Sequence, residues 1–217
     1  MPLEKIESEL TALPAGPRAL LIECGTSTAA RACYRKVQEH WSSGSLDITD
    51  VTPGATTVLL DGVDNTAELA DRIRNWELEA APPQTGTDIE IPVIYDGPDL
   101  ADVAQQWGVG EADVPRLHGE FTYQSSFCGF MPGFAYLDGT PEEKTVSRRA
   151  SPRTHVPAGS VALAGQWSAI YPRETPGGWQ LIGTMAGDQK LWDAHREPAA
   201  LLAPGTTVRF INVEVNP

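Results

Sequence analysis

Three short segments carry residue types from which a small-molecule site could be built. Residues 127–137 read FCGFMPGFAYL, with aromatics interleaved among glycine and proline. The glycines permit unusual backbone angles and the proline stiffens the loop. Such a loop can line an apolar pocket with a few exposed amides, and Phe130, Pro132, Gly133 and Tyr136 are its candidates. A barrel loop packing its own aromatics inward would read the same way. Residues 151–161, SPRTHVPAGSV, add Arg153, whose planar guanidinium suits a carboxylate held at two points, with Thr154 and Ser160 to orient a ligand. A surface arginine at a strand start is the plainer reading. Residues 166–180 add Tyr171, the Gly177-Gly178 pair and Gln180. Unobstructed glycine N–H groups suit an oxyanion or carboxylate. The same pair reads equally as a hairpin turn, and Gln180 as a strand residue.

Several self-sufficient catalytic patterns are missing from the sequence. No phosphate loop ends in Gly-Lys-Ser/Thr, His118-Gly119-Glu120 lacks the second histidine of a zinc helix, and there is no Gly-x-Ser-x-Gly elbow. The four histidines, His40, His118, His155 and His195, are scattered and read as surface or hydrogen-bonded structural residues. No metal site and no catalytic residue is assigned. Cys24, Cys33 and Cys128 have no metal-ligand spacing and read as reduced structural thiols.

Composition narrows the class further. Apolar residues make up 41% and charged residues 21% of the 217, an ordinary balance for a globular chain. The formal charge of −13 opposes a phosphate backbone or an anionic membrane surface. Nucleic acid and membrane are therefore not expected partners. The first residues show no basic region leading into an apolar run, so no signal peptide is expected and a cytoplasmic location follows.

These segments need elements to hold them. Residues 18–24 form an apolar run that predicts a buried strand. Ala30, Cys33, Tyr34, Val37 and Trp41 then share one helix face. Strands are expected near 46–51 and 56–60. Asn65 with Glu68 resembles a capping box opening a second helix, with Leu69, Ile73 and Trp76 inward. Residues 89–95 are expected to close the unit. The order is βαββαβ, the ferredoxin-like arrangement, with two helices on one face of an antiparallel sheet. Gly97-Pro98 marks the expected boundary, giving an N-terminal α+β domain over 1–96 and a second domain over 97–217. Leu100, Val103, Ala104 and Trp107 predict one helix there, followed by a shorter one near 111–117. Beyond Gly119, short strands at 121–127, 160–164, 169–171, 179–183 and 207–213 among Gly/Pro turns predict a β-barrel or sandwich.

Taken in order, FCGFMPGFAYL, SPRTHVPAGSVALAG and IYPRETPGGWQLIG resemble the signature of the allophanate hydrolase subunit 1 family. That family includes the B-type subunit of bacterial ATP-dependent 5-oxoprolinase and the Kip-type sensor-kinase inhibitors. IPVIYDGPDLADVAQQWGV upstream and the LLAPG segment leading to Val208-Arg209-Phe210 fit as well. Two departures stand out: His155 replaces a basic residue, and Trp167-Ser168-Ala169 replaces Gln-Thr-Gly. The resemblance implies an α+β fold with a cyclophilin-like β-barrel after the N-terminal domain. It also implies a hydrolase subunit acting with a larger partner, of the allophanate hydrolase subunit 2 type or the C type of 5-oxoprolinase. The implied reaction is ATP-dependent cleavage of a small amide, with 5-oxoproline to glutamate as the leading case and ATP bound with the partner. The alternatives are a carboxyltransferase-type module of urea or allophanate metabolism, and a non-enzymatic inhibitor of a sensor histidine kinase.

Overall fold

Alternating apolar residues build the first sheet. The computed structural model describes residues 5–79 and 88–214. In its first part β1 (Lys5–Ile6), β2 (Thr11–Gly16) and β3 (Ala19–Glu23) precede helix α1 (Ser27–Ser42). Strands β4 (Asp50–Pro53) and β5 (Thr57–Asp61) precede α2 (Thr66–Arg74), and β6 (Leu78–Glu79) pairs with β1. The main sheet runs β2-β3-β5-β4 and is antiparallel throughout.

Across β3 and β5, Leu20 faces Leu60 and Ile22 faces Val58. These residues join Ala30, Cys33 and Val37 of α1 and Leu69 and Ile73 of α2 in one core. Each such buried aliphatic side chain contributes about 1.5–3 kcal/mol relative to exposure. Helix α1 begins where the Thr26 side chain accepts the Ala29 N–H. Helix α2 begins where Asn65 accepts the Glu68 N–H at 3.2 Å. Glu68 returns the contact to the Asn65 side-chain amide at 3.0 Å, where a full capping box would use the backbone N–H.

One expected strand belongs elsewhere. The segment expected to close this sheet at 89–95 is β7 (Asp88–Ile94), and it pairs in the second unit. The edge position beside β3 is taken by β2, which reaches it through a turn at residues 17–18. A short hairpin closes at far lower entropic cost than a long return. By contacts the chain divides into compact units at residues 1–84 and 85–217, and not at 96/97. Gly97 is no linker residue. Its N–H donates to Ile182 O, and a side chain there would collide with the backbone of Leu181 and Ile182.

The second unit continues with α3 (Leu100–Trp107), α4 (Asp113–Glu120), β8 (Tyr123–Cys128), β9 (Ala135–Asp138) and a 3-10 turn at Glu142–Lys144. Then come β10 (Arg153–Val156), β11 (Ser160–Ala164), β12 (Trp167–Ile170), β13 (Thr175–Gly177), β14 (Gln180–Met185) and β15 (Thr207–Asn212). The strands expected at 121–127, 160–164, 169–171, 179–183 and 207–213 are present to within a few residues, whereas β9, β10 and β13 lie in segments that the sequence pattern left without strands. Seven strands close a barrel in the order β11-β12-β9-β8-β15-β7-β14, with β14 returning to β11. Every barrel strand sends residues into one interior cluster, among them Ile91, Val93, Tyr123, Leu137, Val161, Ile170, Ile182 and Phe210. Strand β11 is buried on both sides. Val161 and Leu163 join that interior, while Ala162 and Ala164 join a second cluster around Phe134, Tyr171 and Trp179. The β10–β13 pair lies outside the barrel order.

His118 on α4 is fully buried in the barrel interior. Its Nδ1 meets the Tyr95 hydroxyl at 2.8 Å and its Nε2 the Ser168 hydroxyl at 3.1 Å. Burial drives its pKa down to about 3. The ring is therefore neutral and serves packing, tilted against Phe210 with ring centroids 4.4 Å apart. Among the described residues no group of three or more His, Cys, Asp or Glu could hold a metal ion, and no helix is long and apolar enough to cross a membrane.

Candidate functional site

The second apolar cluster opens to solvent as a cleft of about 270 Å³. Its walls come from three stretches distant in sequence: the β8–β9 connection, the run through Tyr171 to Trp179, and the loop before β10. Phe134, Tyr136, Tyr171 and Trp179 meet edge to face, with Phe134 5.3 Å from Tyr171 and 5.5 Å from Trp179, and Tyr136 5.7 Å from Trp179. Edge-to-face packing fixes each ring by its neighbours, so the apolar floor is preformed.

Gly177 and Gly178 form one rim. At Gly177 any side chain would begin 2.5 Å from the Tyr171 hydroxyl, and Gly178 packs on Pro152. Tyr171 is buried. Burial raises its pKa, against the lowering effect of the Trp179 N–H and the Arg148 charge, and the net direction is up. Burial likewise raises Tyr136 against the charge of Arg148. Both phenols are therefore neutral O–H groups at ordinary pH.

Arg148 is the cation of the cleft. It is exposed, sits with its guanidinium carbon 5.9 Å from the Trp179 ring centroid, and has no carboxylate partner among the described residues. Arg149 and Arg153 are spent elsewhere. Asp99, 1% exposed, accepts from Arg149 at 2.7 Å, from both arms of Arg153 at 2.8 and 2.7 Å, and from the Leu181 N–H at 2.7 Å. Burial raises the Asp99 pKa, but the Arg153 hydrogen bonds, the Leu181 N–H and the two guanidinium charges outweigh it, and the carboxyl titrates below its usual range.

Five of the sequence candidates line this cleft: Phe130, Tyr136, Tyr171, Gly177 and Gly178. The others do not. Arg153 was expected to anchor a carboxylate, but its fork is filled by Asp99. Pro132 and Thr154 do not line the cleft. Gly133 allows close packing against Leu191 and Trp192. The Ser160 hydroxyl donates to Pro157 O at 2.8 Å and caps its own turn. Gln180 donates to Ser147 O at 3.1 Å and faces a separate open, polar hollow of about 740 Å³ beside Arg148 and Arg149. Sequence reasoning missed Arg148, Asp99, Phe134 and Trp179 as site residues. The paired Arg148-Arg149 next to the second segment was the available signal for the first.

The arrangement is an aromatic slot lined by the exposed Arg148 guanidinium, two neutral phenols and the Gly177-Gly178 pair. It suits a small ring that carries a carboxylate and a polar carbonyl.

Residues 10–202 match the model of the carboxyltransferase domain, subdomain C and D. The B-type subunit of 5-oxoprolinase from Escherichia coli O157:H7 is 43% identical over 173 residues, covering 76% of this chain and 78% of that protein. Among solved structures, TTHA0988 matches with a TM-score of 0.74 at 31% identity over 92% of this chain, which spans 40% of the length of that one. The K. lactis urea amidolyase shares the fold, with a TM-score of 0.70 at 17% identity over 94% of this chain and 15% of its own.

Proposed function

The chain belongs to the carboxyltransferase-domain family, subdomain C and D, and from that membership we propose that it is the B-type subunit of a 5-oxoprolinase, opening the lactam of 5-oxoproline to glutamate together with a larger partner. The observation that carries the reading is the aromatic cleft with Arg148, a cation unpaired with any carboxylate among the described residues.

Within that cleft each group has a task. Phe134, Tyr171 and Trp179 take the apolar ring edge and exclude water. Arg148 binds the carboxylate. The Tyr171 O–H is the donor for the lactam carbonyl, and it strengthens as negative charge develops on that oxygen.

An unstrained amide is a weak electrophile, and ATP cleavage would supply the driving force. The cleft does not fit the nucleotide itself. Arg149 is bound to Asp99, which leaves a single guanidinium against a triphosphate. The nucleotide is therefore assigned to the partner, of the C type of 5-oxoprolinase or the allophanate hydrolase subunit 2 type. A cytoplasmic setting suits such an assembly. The likeness to urea amidolyase is one of fold and does not favour a carboxyltransferase reading over this one.

Co-expression with the candidate partner, followed by size-exclusion chromatography with light scattering and an assay of 5-oxoproline-dependent glutamate formation, tests the proposal. Expected are a complex that survives dilution, turnover by the complex with ATP, and none by the isolated chain. Elution of this chain alone near its own 23.4 kDa, or robust turnover without a partner, would sink it.

A further inference from the structure

Phe130 is the one non-glycine residue with positive φ among the described residues, at 66°. It stands at the centre of a three-residue turn closed by the Met131 N–H donating to Gly129 O at 2.7 Å. A γ-turn with a positive central φ is the rare and strained form. The loop cannot relax easily. Gly129 N–H donates to Phe134 O at 3.1 Å and Phe134 N–H to Met131 O at 3.0 Å. Gly133, at φ +83°, is so close to the next segment that a side chain would begin 2.9 Å from the Trp192 Cβ.

Burial does not compensate the strain. At 60% exposure Phe130 is the most exposed of the large apolar side chains described. Its ring is nevertheless placed at the cleft, edge-on to Phe134 at 5.3 Å and to Tyr171 at 6.5 Å. Strain of this kind persists where the surroundings enforce it and concentrates at ligand clamps. An exposed aromatic held this way regains its apolar burial only when something occupies the cleft.

We propose that Phe130 is a specificity-determining lid, whose ring lies on the face of the bound lactam and selects cyclic 5-oxoproline over open-chain glutamate. The proposal rests on the 5-oxoprolinase reading. Both compounds offer Arg148 a carboxylate, but only the cyclic one offers a compact ring face to cover. A lid that discriminates in this way also favours release of the product.

The test is calorimetric titration of 5-oxoproline and of glutamate into the full chain in complex with its partner. Wild type is compared with Phe130→Ala, Phe130→Leu and Phe130→Asn, with steady-state kinetics and thermal melting alongside. Phe130→Ala is expected to weaken 5-oxoproline about tenfold, raise KM more than it lowers kcat, and leave glutamate binding within twofold. Phe130→Leu should recover part of the loss. Phe130→Asn, a residue that tolerates the left-handed region, should lose binding without a lower melting temperature. Equal 5-oxoproline binding by wild type and Phe130→Ala would overturn the lid alone. So would a binding loss that tracks a fall in melting temperature across all three variants, because that is the mark of a structural role. A wild-type complex that binds neither compound would overturn the 5-oxoprolinase reading, and the lid with it.

Discussion

Asp99 and Arg153 form a two-point ion pair, Oδ2 to one guanidinium nitrogen at 2.8 Å and Oδ1 to the other at 2.7 Å. The pair ties the turn before α3 to β10, and Arg149 adds a second guanidinium at 2.7 Å. Asp99→Ala leaves two guanidinium groups facing a site built for an anion. Breaking a fully buried pair costs about 3–5 kcal/mol. Here Arg149 and Arg153 keep some solvent contact, so a loss of about 2–3 kcal/mol is expected in urea denaturation. The carboxyl titrates below its unfolded value. Its contribution is therefore complete above about pH 4, the ordinary range for Asp, and is lost as pH falls through the folded pKa. Asp99→Asn should flatten that acid limb.

Arg148 makes the opposite prediction. It holds no carboxylate among the described residues, so Arg148→Ala should cost no more than about 0.5–1 kcal/mol, the worth of its exposed contact with the Trp179 ring. Ligand binding in the assembled enzyme should fall about tenfold or more, the scale of a charged hydrogen bond. Arg148→Lys should recover a part, since the ammonium lacks the planar fork. Isothermal titration with 5-oxoproline reads both.

Gly177→Ala puts a methyl group 2.5 Å from the Tyr171 hydroxyl. Tyr171 is wedged among aromatic neighbours and cannot swing aside freely. Overpacking of this kind costs about 1–3 kcal/mol, and the displaced phenol should lower turnover of the complex. A melting curve and an activity assay on the same preparation would separate the two effects.

His118 predicts a pH dependence of its own. Its folded pKa of about 3 lies below the unfolded value of about 6.5. The unfolded chain therefore takes up the proton first. The stability contributed by the neutral ring is complete above about pH 6.5 and falls by up to about 1.4 kcal/mol per pH unit as pH drops toward 3. Denaturation midpoints between about pH 7 and about pH 4 should show this slope, and His118→Gln should reduce it.

The position of β7 makes domain dissection informative. A fragment covering residues 85–217 retains every barrel strand and should fold with cooperative melting. One starting at residue 97 lacks Ile91 and Val93 from the barrel interior and should not. Circular dichroism melts of both fragments decide it, and cooperative folding of the shorter one would refute the assignment.

Much of this was legible because local chemistry dictated it. The α1 face and the Asn65–Glu68 cap are read over three or four residues; Ala30, Cys33 and Val37 are buried as expected and Tyr34 is half-buried, but Trp41, expected on the same face, is exposed at the last turn. Pairing partners are not local. Ile91 and Val93 alternate in a way that any half-buried sheet would accept, and nothing in the segment says which sheet. Strand β2, TALPAG, was hidden by its proline and glycine, which suit an edge strand but suggest a loop. The site failed for the same reason. Arg148, Arg149 and Arg153 look alike in SRRASPR, and the acid that neutralises two of them lies some fifty residues upstream in YDGPDL. The aromatic segments and the diglycine were found because their composition alone restricts the backbone.

The parallel pairing of β7 with β15, Asp88 opposite Thr207, has a consequence for synthesis. The first sheet is assembled from nearby strands and is complete by residue 79, so it can fold while the ribosome is still translating the barrel. The barrel has no such option. Until β15 emerges, β7 and β8 are both open edges, and the interior around Tyr123 lacks the Val208 and Phe210 that cover it. Such edges invite pairing with other chains, and contacts between distant segments form slowly. A ribosome stalled before residue 207 would therefore hold a finished first unit and an unsealed barrel, the state in which this chain most needs a chaperone.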